Sequence, residues 1–169
     1  TCALPISLES CPLPPRVKGT EKYHFKLGVS LIQIQSIILS SSSLMRVHFW
    51  GCDSSQVLSD AKDRSDGREA FSSSFPVHCE AVDFFHYLLD GHYLYFEVCD
   101  LSRLEPIGFC IVDTTKDVDL PGENGISPLC KSSHANTVWE DECYVDMYDY
   151  KDGTMIGQVH IFMSLLSVL

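Results

Sequence analysis

No segment of this sequence is apolar over a long enough stretch to cross a lipid bilayer. A membrane-spanning helix needs about 18 or more apolar residues in a row, whereas Gly, Gln, Ser and His interrupt the two longest apolar segments, residues 27–39 and 156–169. The first residue is Thr, and residues 1–15 lack the basic start of a secretory signal. We therefore expect a chain without membrane-spanning segments that forms part of a longer protein.

Basic residues are also scarce. The chain has 12 Lys and Arg residues against 23 Asp and Glu residues, which gives a formal net charge of −11 at pH 7. Such a charge repels phosphate backbones and anionic lipid headgroups, so we expect no nucleic-acid partner and no simple adsorption to membranes. A short basic stretch from Arg16 to Lys26 and an acidic segment from Glu140 to Asp152 are both interpreted as solvated faces.

Closely spaced cysteine pairs are absent, although the chain contains eight cysteines. They are scattered along the sequence at Cys2, Cys11, Cys52, Cys79, Cys99, Cys110, Cys130 and Cys143. Several lie in apolar, strand-like segments, where a thiol acts as a small apolar group. This pattern predicts unpaired thiols in a reducing, intracellular compartment rather than a disulfide framework.

The sequence lacks the usual motifs of catalysis, namely a glycine-rich phosphate loop, a serine nucleophile elbow and paired carboxylates in an apolar segment. A cysteine hydrolase or a zinc site would have to use Cys79 with His78, Asp83 or His86. Adjacent residues of a strand point to opposite faces, so only His86 could approach Cys79. Core packing of Cys79 is the favoured interpretation, and we predict no catalytic residues, no cofactor and no metal ion.

What the sequence does contain is a series of alternating apolar and polar residues, which is typical of half-buried strands. Large apolar residues occupy every second position of residues 23–31. The other predicted strands are residues 44–50, 71–79, 92–99, 107–112, 143–148 and 156–165. Pro76 limits the strand that contains it to a sheet edge or a bulge, because proline cannot donate to a central ladder.

Residues 84–89 predict either one helical turn or a short strand, and no long amphipathic helix is evident. Residues 51–66 and 114–142 are rich in polar and turn-forming residues and predict loops. Prolines in residues 1–19 predict an extended arm ahead of a domain over residues 20–169. The pattern favours an all-β fold, an antiparallel eight-stranded β-sandwich with long loops.

Several motifs resemble those of the C2 domain family. A strand ends in Asp100, a short loop follows, and Ile107-Gly108 opens the next strand, while residues 157–161 are similar to a terminal C2 strand. Four further motifs are similar to the N-terminal C2 domain of a family of centriolar scaffold proteins. They are Leu13-Pro14-Pro15-x-Val17-x-Gly19, Arg46-Val47-x-Phe49-Trp50-Gly51, Phe75-Pro76-Val77-x-Cys79, and Phe84 with Tyr87-Leu88-x-Asp90.

The resemblance implies a non-catalytic scaffold domain of a centriolar or ciliary protein that supports centriole elongation, distal appendage assembly and cilium formation. It implies a location in the cytoplasm and cytoskeleton, at the centrosome and centriole. The expected partners are other centriolar or ciliary proteins, with no small-molecule substrate. The alternative is a lipid-binding C2 domain of a trafficking or signalling protein, which needs a basic concave face or apolar loop tips.

Calcium binding by C2 domains requires several Asp side chains at one end of the sandwich. Asp100 matches the first of these positions, but Ser102 occupies the next one, and Arg103 places a positive charge where a cation would lie. Asp100 is therefore interpreted as a turn residue that accepts backbone hydrogen bonds, at most a vestigial calcium-loop position. We expect a calcium-independent domain.

Amphipathic aromatic rings are enriched at protein interfaces. Between residues 139 and 150 the sequence alternates acidic and aromatic residues, and this cluster is the candidate partner-binding surface. Its members are Trp139, Tyr144, Tyr148 and Tyr150. Packing within the domain is the competing interpretation of all four, and it is the favoured one for Trp50. An exposed edge strand offers a further route to a partner through backbone pairing.

Overall fold

The structure is a computed structural model that describes residues 19–34, 43–58, 71–91, 93–121 and 136–168. These residues form eight strands and one helix. In chain order the elements are β1 (Tyr23–Ile34), β2 (Ser43–Phe49), β3 (Cys52–Leu58), β4 (Phe71–Val77), α1 (Ala81–Gly91), β5 (Tyr93–Asp100), β6 (Pro106–Asp113), β7 (Thr137–Asp149) and β8 (Met155–Ser167). The predicted all-β fold is confirmed.

The eight strands are antiparallel and follow the order β3-β2-β5-β6-β7-β8-β1-β4. Strands β6 and β7 pair at only two positions, where Gly108 lies opposite Asp149 and Phe109 opposite Tyr148. The sheet therefore divides there into a first layer, β3-β2-β5-β6, and a second layer, β7-β8-β1-β4. At the other edge β3 and β4 approach each other, and the hydroxyl oxygens of Ser54 and Ser73 lie 2.6 Å apart. The sheet is thus nearly closed.

Aromatic side chains from both layers meet in the core. Phe25 of β1 contacts Phe49 of β2, with ring centroids 5.1 Å apart, and Phe71 of β4 lies 6.3 Å from Phe96 of β5. Helix α1 contributes Phe84, whose ring is 4.9 Å from that of Phe25. These contacts join the two layers. Tilted and edge-to-face ring pairs also stabilise the core beyond the burial of their apolar area.

Trp50 and Gly51 form the two-residue turn between β2 and β3, with φ of 56° and 69°. Positive φ at both positions matches the twist of a hairpin, but it is unusual for a bulky residue such as tryptophan. The indole is 5% exposed and packs edge-on against Tyr87 of α1 at 4.8 Å. Trp50 therefore lies in the core, as predicted, and its packing holds the turn against the helix.

Three boundaries differ from the sequence predictions. Residues 52–58 were predicted as part of a loop, but they form β3, a polar edge strand whose order comes from backbone pairing with β2. Helix α1 spans 11 residues, because Ala81, Phe84 and Leu88 place apolar groups on one helical face. Strand β7 begins at Thr137, inside the second predicted loop. Its acidic residues 140–142 resemble a loop in sequence, but they lie at partly or fully exposed positions of the strand.

Other predictions fit or fall outside the described residues. Strand β4, which contains Pro76, lies at a sheet edge, as predicted. The thiols of Cys99, Cys110 and Cys143 are buried and free, whereas Cys2, Cys11 and Cys130 lie outside the described residues. The predicted arm also lies outside them except for Gly19, so the arm and its domain boundary stay predictions.

Candidate partner-binding surface

Asp100 ends β5 and is held inside its own turn. Its carboxylate accepts hydrogen bonds from the hydroxyl and backbone N–H of Ser102, at 2.5 and 2.8 Å, and from the backbone N–H of Arg103 at 3.0 Å. These bonds, led by that from the Ser102 hydroxyl, lower the pKa of Asp100. The prediction that Asp100 is a turn residue is confirmed.

The residues considered for catalysis differ in their exposure to solvent. Cys79 is fully buried, whereas His86 lies on the exposed face of α1. A Cys–His nucleophile pair needs both groups in one accessible cleft, and a fully buried thiol does not meet that condition. Within the described segments, no three His, Cys, Asp or Glu side chains lie close enough together to hold a metal ion.

The outer face of the first layer carries a partly buried ion pair. Arg46 of β2 donates from Nε to the Glu97 carboxylate of β5 at 2.7 Å, and the Tyr95 hydroxyl lies 3.4 Å from the same carboxylate. The side chains of Arg46 and Glu97 are 35% and 8% exposed. The hydrogen bond to Glu97 raises the pKa of Arg46, and burial raises the pKa of Tyr95.

Aromatic rings cover this ion pair from the β6–β7 side. Phe109 stacks on Tyr95 with ring centroids 6.0 Å apart, and Tyr148 and Tyr150 pack on Phe109 at 5.8 and 6.3 Å. Two of the four predicted partner-binding residues thus belong to an aromatic cluster that shields Glu97 from water. Tyr150 keeps 36% of its surface exposed.

Trp139, the third predicted residue, points into the domain. It is 5% exposed, packs against Phe85 of α1 at 5.5 Å, and donates from Nε1 to the carbonyl oxygen of Asp119 at 3.1 Å. Its indole is not available to a partner in this structure. It instead fixes the start of β7 against the helix and the segment that follows β6.

Tyr144, the fourth predicted residue, stands in the middle of β7 with 57% of its surface exposed. Its ring stacks on His160 of β8, with centroids 4.6 Å apart and an angle of 19° between the planes. Nε2 of His160 lies 2.9 Å from the Glu142 carboxylate. Beside this stack on β8 is Phe162, 36% exposed, directly opposite Glu142 in the strand register.

We name the five residues Glu142, Tyr144, Asp146, His160 and Phe162 the Tyr144 face. They share the outward side of β7 and β8, because side chains at every second position of a strand point the same way. Phe162 stands out on this side, since its neighbours at two-residue spacing are His160 and Ser164. The face combines carboxylates with exposed aromatic rings, which are enriched at protein interfaces.

Comparison with known protein families gives a match over nearly the whole chain. The family described as the N-terminal C2 domain of C2CD3 protein matches residues 10–168. The chain belongs to this family. Its predicted resemblance to C2 domains is thereby confirmed, and the eight-stranded sandwich agrees with it. No curated protein matches the chain.

In this C2CD3-type C2 domain, sequence reasoning found Tyr144 but missed its neighbours His160 and Phe162. The signal was present in β8, where Phe162 lies between the polar residues His160 and Ser164 at two-residue spacing. It could not be interpreted without the register that places β8 beside β7. No helix in the described segments combines the length and apolar composition needed to cross a membrane.

Proposed function

We propose that this chain is a non-catalytic, calcium-independent protein-interaction domain of a centriolar or ciliary scaffold. In that role it binds other centriolar or ciliary proteins and supports centriole elongation, distal appendage assembly and the start of cilium formation. Membership of the C2CD3 N-terminal C2 family supports the assignment to such a scaffold. A C2 domain is generally a binding domain, which supports a role without turnover.

The observation that carries calcium independence is the β5–β6 loop. Ser102 and Arg103 donate three hydrogen bonds to Oδ1 of Asp100, so one of its two carboxylate oxygens is already engaged within the turn. Calcium prefers six to eight oxygen ligands, whereas the loop offers Glu105 as its single further carboxylate and places the guanidinium of Arg103 close to Asp100 in sequence. A divalent cation would have to share the Asp100 carboxylate with these bonds and lie near a positive charge.

The lipid-binding alternative is opposed by charge. Anionic membranes attract C2 domains through clustered basic residues, whereas this chain has a formal net charge of −11. On the exposed side of the second layer, Glu142 and Asp146 of β7 add negative charge beside Tyr144. We therefore favour protein partners over a lipid surface.

Thermal unfolding of the purified domain with excess calcium and then with chelator tests the calcium-independent part of the proposal. A ligand at a hundred times its Kd stabilises by about 2.7 kcal/mol, which raises the Tm of a domain of this size by roughly 5 to 10 °C. We expect an unchanged Tm and no sedimentation with phosphatidylserine vesicles. A calcium-dependent rise in Tm together with vesicle binding would instead establish the lipid-binding alternative.

The scaffold role is tested in the full-length protein in ciliated cells. A deletion of residues 10–168 should leave centrioles shorter and with fewer distal appendages than the intact protein does. A calcium-loop variant, Asp100→Asn, is the matched control and should restore normal centrioles. Full rescue by the deleted protein would contradict the proposed function.

A further inference from the structure

We propose that the Tyr144 face binds an extended basic segment of a protein partner, with Lys or Arg side chains at alternate positions. This inference rests on the proposed function and names the chemistry of the partner. Tyr144 is 57% exposed although it lies in the middle of a 13-residue strand.

His160 fixes the orientation of the Tyr144 ring. The imidazole covers one face of the ring at 4.6 Å and is itself held by Glu142 through Nε2. The exposed area of Tyr144 therefore lies on the opposite ring face and on the ring edge. A fixed, open tyrosine face attracts an ammonium or guanidinium group through the ring quadrupole, and little conformational entropy is lost when the cation binds.

Carboxylates flank this ring on the same strand. Glu142 and Asp146 lie two residues before and two residues after Tyr144, and both are exposed. At about 3.3 Å per residue, each is roughly 7 Å along the strand from Tyr144. An extended chain repeats its side chains at the same interval, so cations at alternate positions would meet Glu142, Tyr144 and Asp146 in turn.

The charges on this face decide between possible occupants. A second copy of the chain would bring its own Glu142 and Asp146 against the same residues, and like charges repel. An anionic lipid surface is disfavoured for the same reason. Lys26, a cation on this side of the sheet, lies on β1 opposite Ser164, beyond β8 from Tyr144. A basic partner is the occupant whose charge complements the face.

Phe162 supplies the apolar part of the contact. It is 36% exposed, lies opposite Glu142 on β8, and lies opposite Gly28 on β1, which has no side chain to cover the ring. The aliphatic stem of a partner Lys or Arg that reaches Glu142 would lie across this ring. The face thus predicts a partner segment with Lys or Arg at alternate positions, whose intervening side chains point away from the sheet.

The test uses a twelve-residue peptide of alternating Arg and Val, with a Glu and Val peptide as the reversed-charge probe, and maps binding to the domain by NMR. We expect amide shifts at Tyr144, His160 and Phe162 with the basic peptide alone. Since an exposed cation–π contact contributes about 0.5 to 1 kcal/mol, Tyr144→Ser should weaken binding about 2- to 5-fold. Tyr93→Ser, which alters another exposed tyrosine of the sandwich, is the control and should leave the affinity unchanged.

Charge needs a separate control, because an acidic domain attracts any basic peptide. Asp146→Lys and Asp90→Lys both change the formal net charge from −11 to −9, so general attraction falls equally in the two. We expect Asp146→Lys to weaken binding at least about 5-fold more than Asp90→Lys. Equal effects, or shifts on another face, would overturn the surface assignment and leave the proposed function standing. Vesicle binding without peptide binding would overturn both.

Discussion

Arg46 and Glu97 form an ion pair on the outer face of the first layer, and removing one partner alone should destabilise the domain. The perturbation is Arg46→Met, which keeps most of the aliphatic stem and removes the guanidinium. It leaves the Glu97 carboxylate, 8% exposed, with the Tyr95 hydroxyl at 3.4 Å as its remaining described neighbour. The charge would then lie beneath the aromatic cluster without a cation.

The size of the destabilisation depends on how deeply the ion pair is buried. Breaking a fully buried ion pair by removing one partner costs roughly 3 to 5 kcal/mol. Arg46 is 35% exposed, so water can reach part of the site after the substitution. We therefore expect Arg46→Met to lower the free energy of unfolding by about 2 kcal/mol. Replacing both charges by Met removes the unpaired carboxylate, and the double variant should fall within about 1 kcal/mol of the original domain.

The assay is urea unfolding at 25 °C of the original domain, Arg46→Met, Glu97→Met and the double variant. A double-mutant cycle from these four proteins measures the coupling between the two side chains. We expect a coupling of at least about 1 kcal/mol. In the original domain the attraction between the two charges offsets the cost of burying them, and a single substitution removes that attraction while one charge stays buried. Coupling below about 0.3 kcal/mol, as found for exposed pairs, would refute the view that the aromatic cluster shields this pair.

Two further predictions concern the core. Phe84→Ala removes a fully buried ring that contacts Phe25 and should cost about 3 to 5 kcal/mol in urea unfolding, whereas Val82→Ala on the exposed side of α1 should change stability by less than about 0.5 kcal/mol. Burial raises the pKa of Cys143 from 9.0 to about 12, so the unfolded chain ionises first. The free energy of unfolding should therefore fall as pH rises from 9.0 toward 12. If the free energy of unfolding of a Cys143→Ala variant fell equally steeply over this pH range, the effect could not be attributed to Cys143.

The candidate site was predictable only in part. Tyr144 was found because it follows acidic residues in an alternating segment, a pattern that local sequence displays. Trp139 and Tyr148 occur in the same segment, yet one packs on Phe85 and the other on Phe109. Which aromatic residue remains exposed depends on neighbours far away in sequence. No local pattern carries that information.

The fold was predictable wherever one strand face is apolar and the other polar. The alternation in β1, β2 and β5 determined strand identity, and the Asp100 turn could be read from its polar neighbours, because these features depend on residues a few positions apart. Strand β3 escaped prediction because residues 53–56 at its centre are all polar and its order comes from pairing with β2.

Only the tertiary structure decided which surfaces meet and which remain open. The pairing of β7 with β8 places Tyr144 beside His160, although 15 residues of sequence separate the two. The pairing of β2 with β5 likewise brings Arg46 to Glu97. Period-two alternation tells which side of a strand a residue occupies, but not which strand lies next to it. The order and register of the strands are set by the packing of the whole core, and they determine where the surface of this domain is both aromatic and acidic.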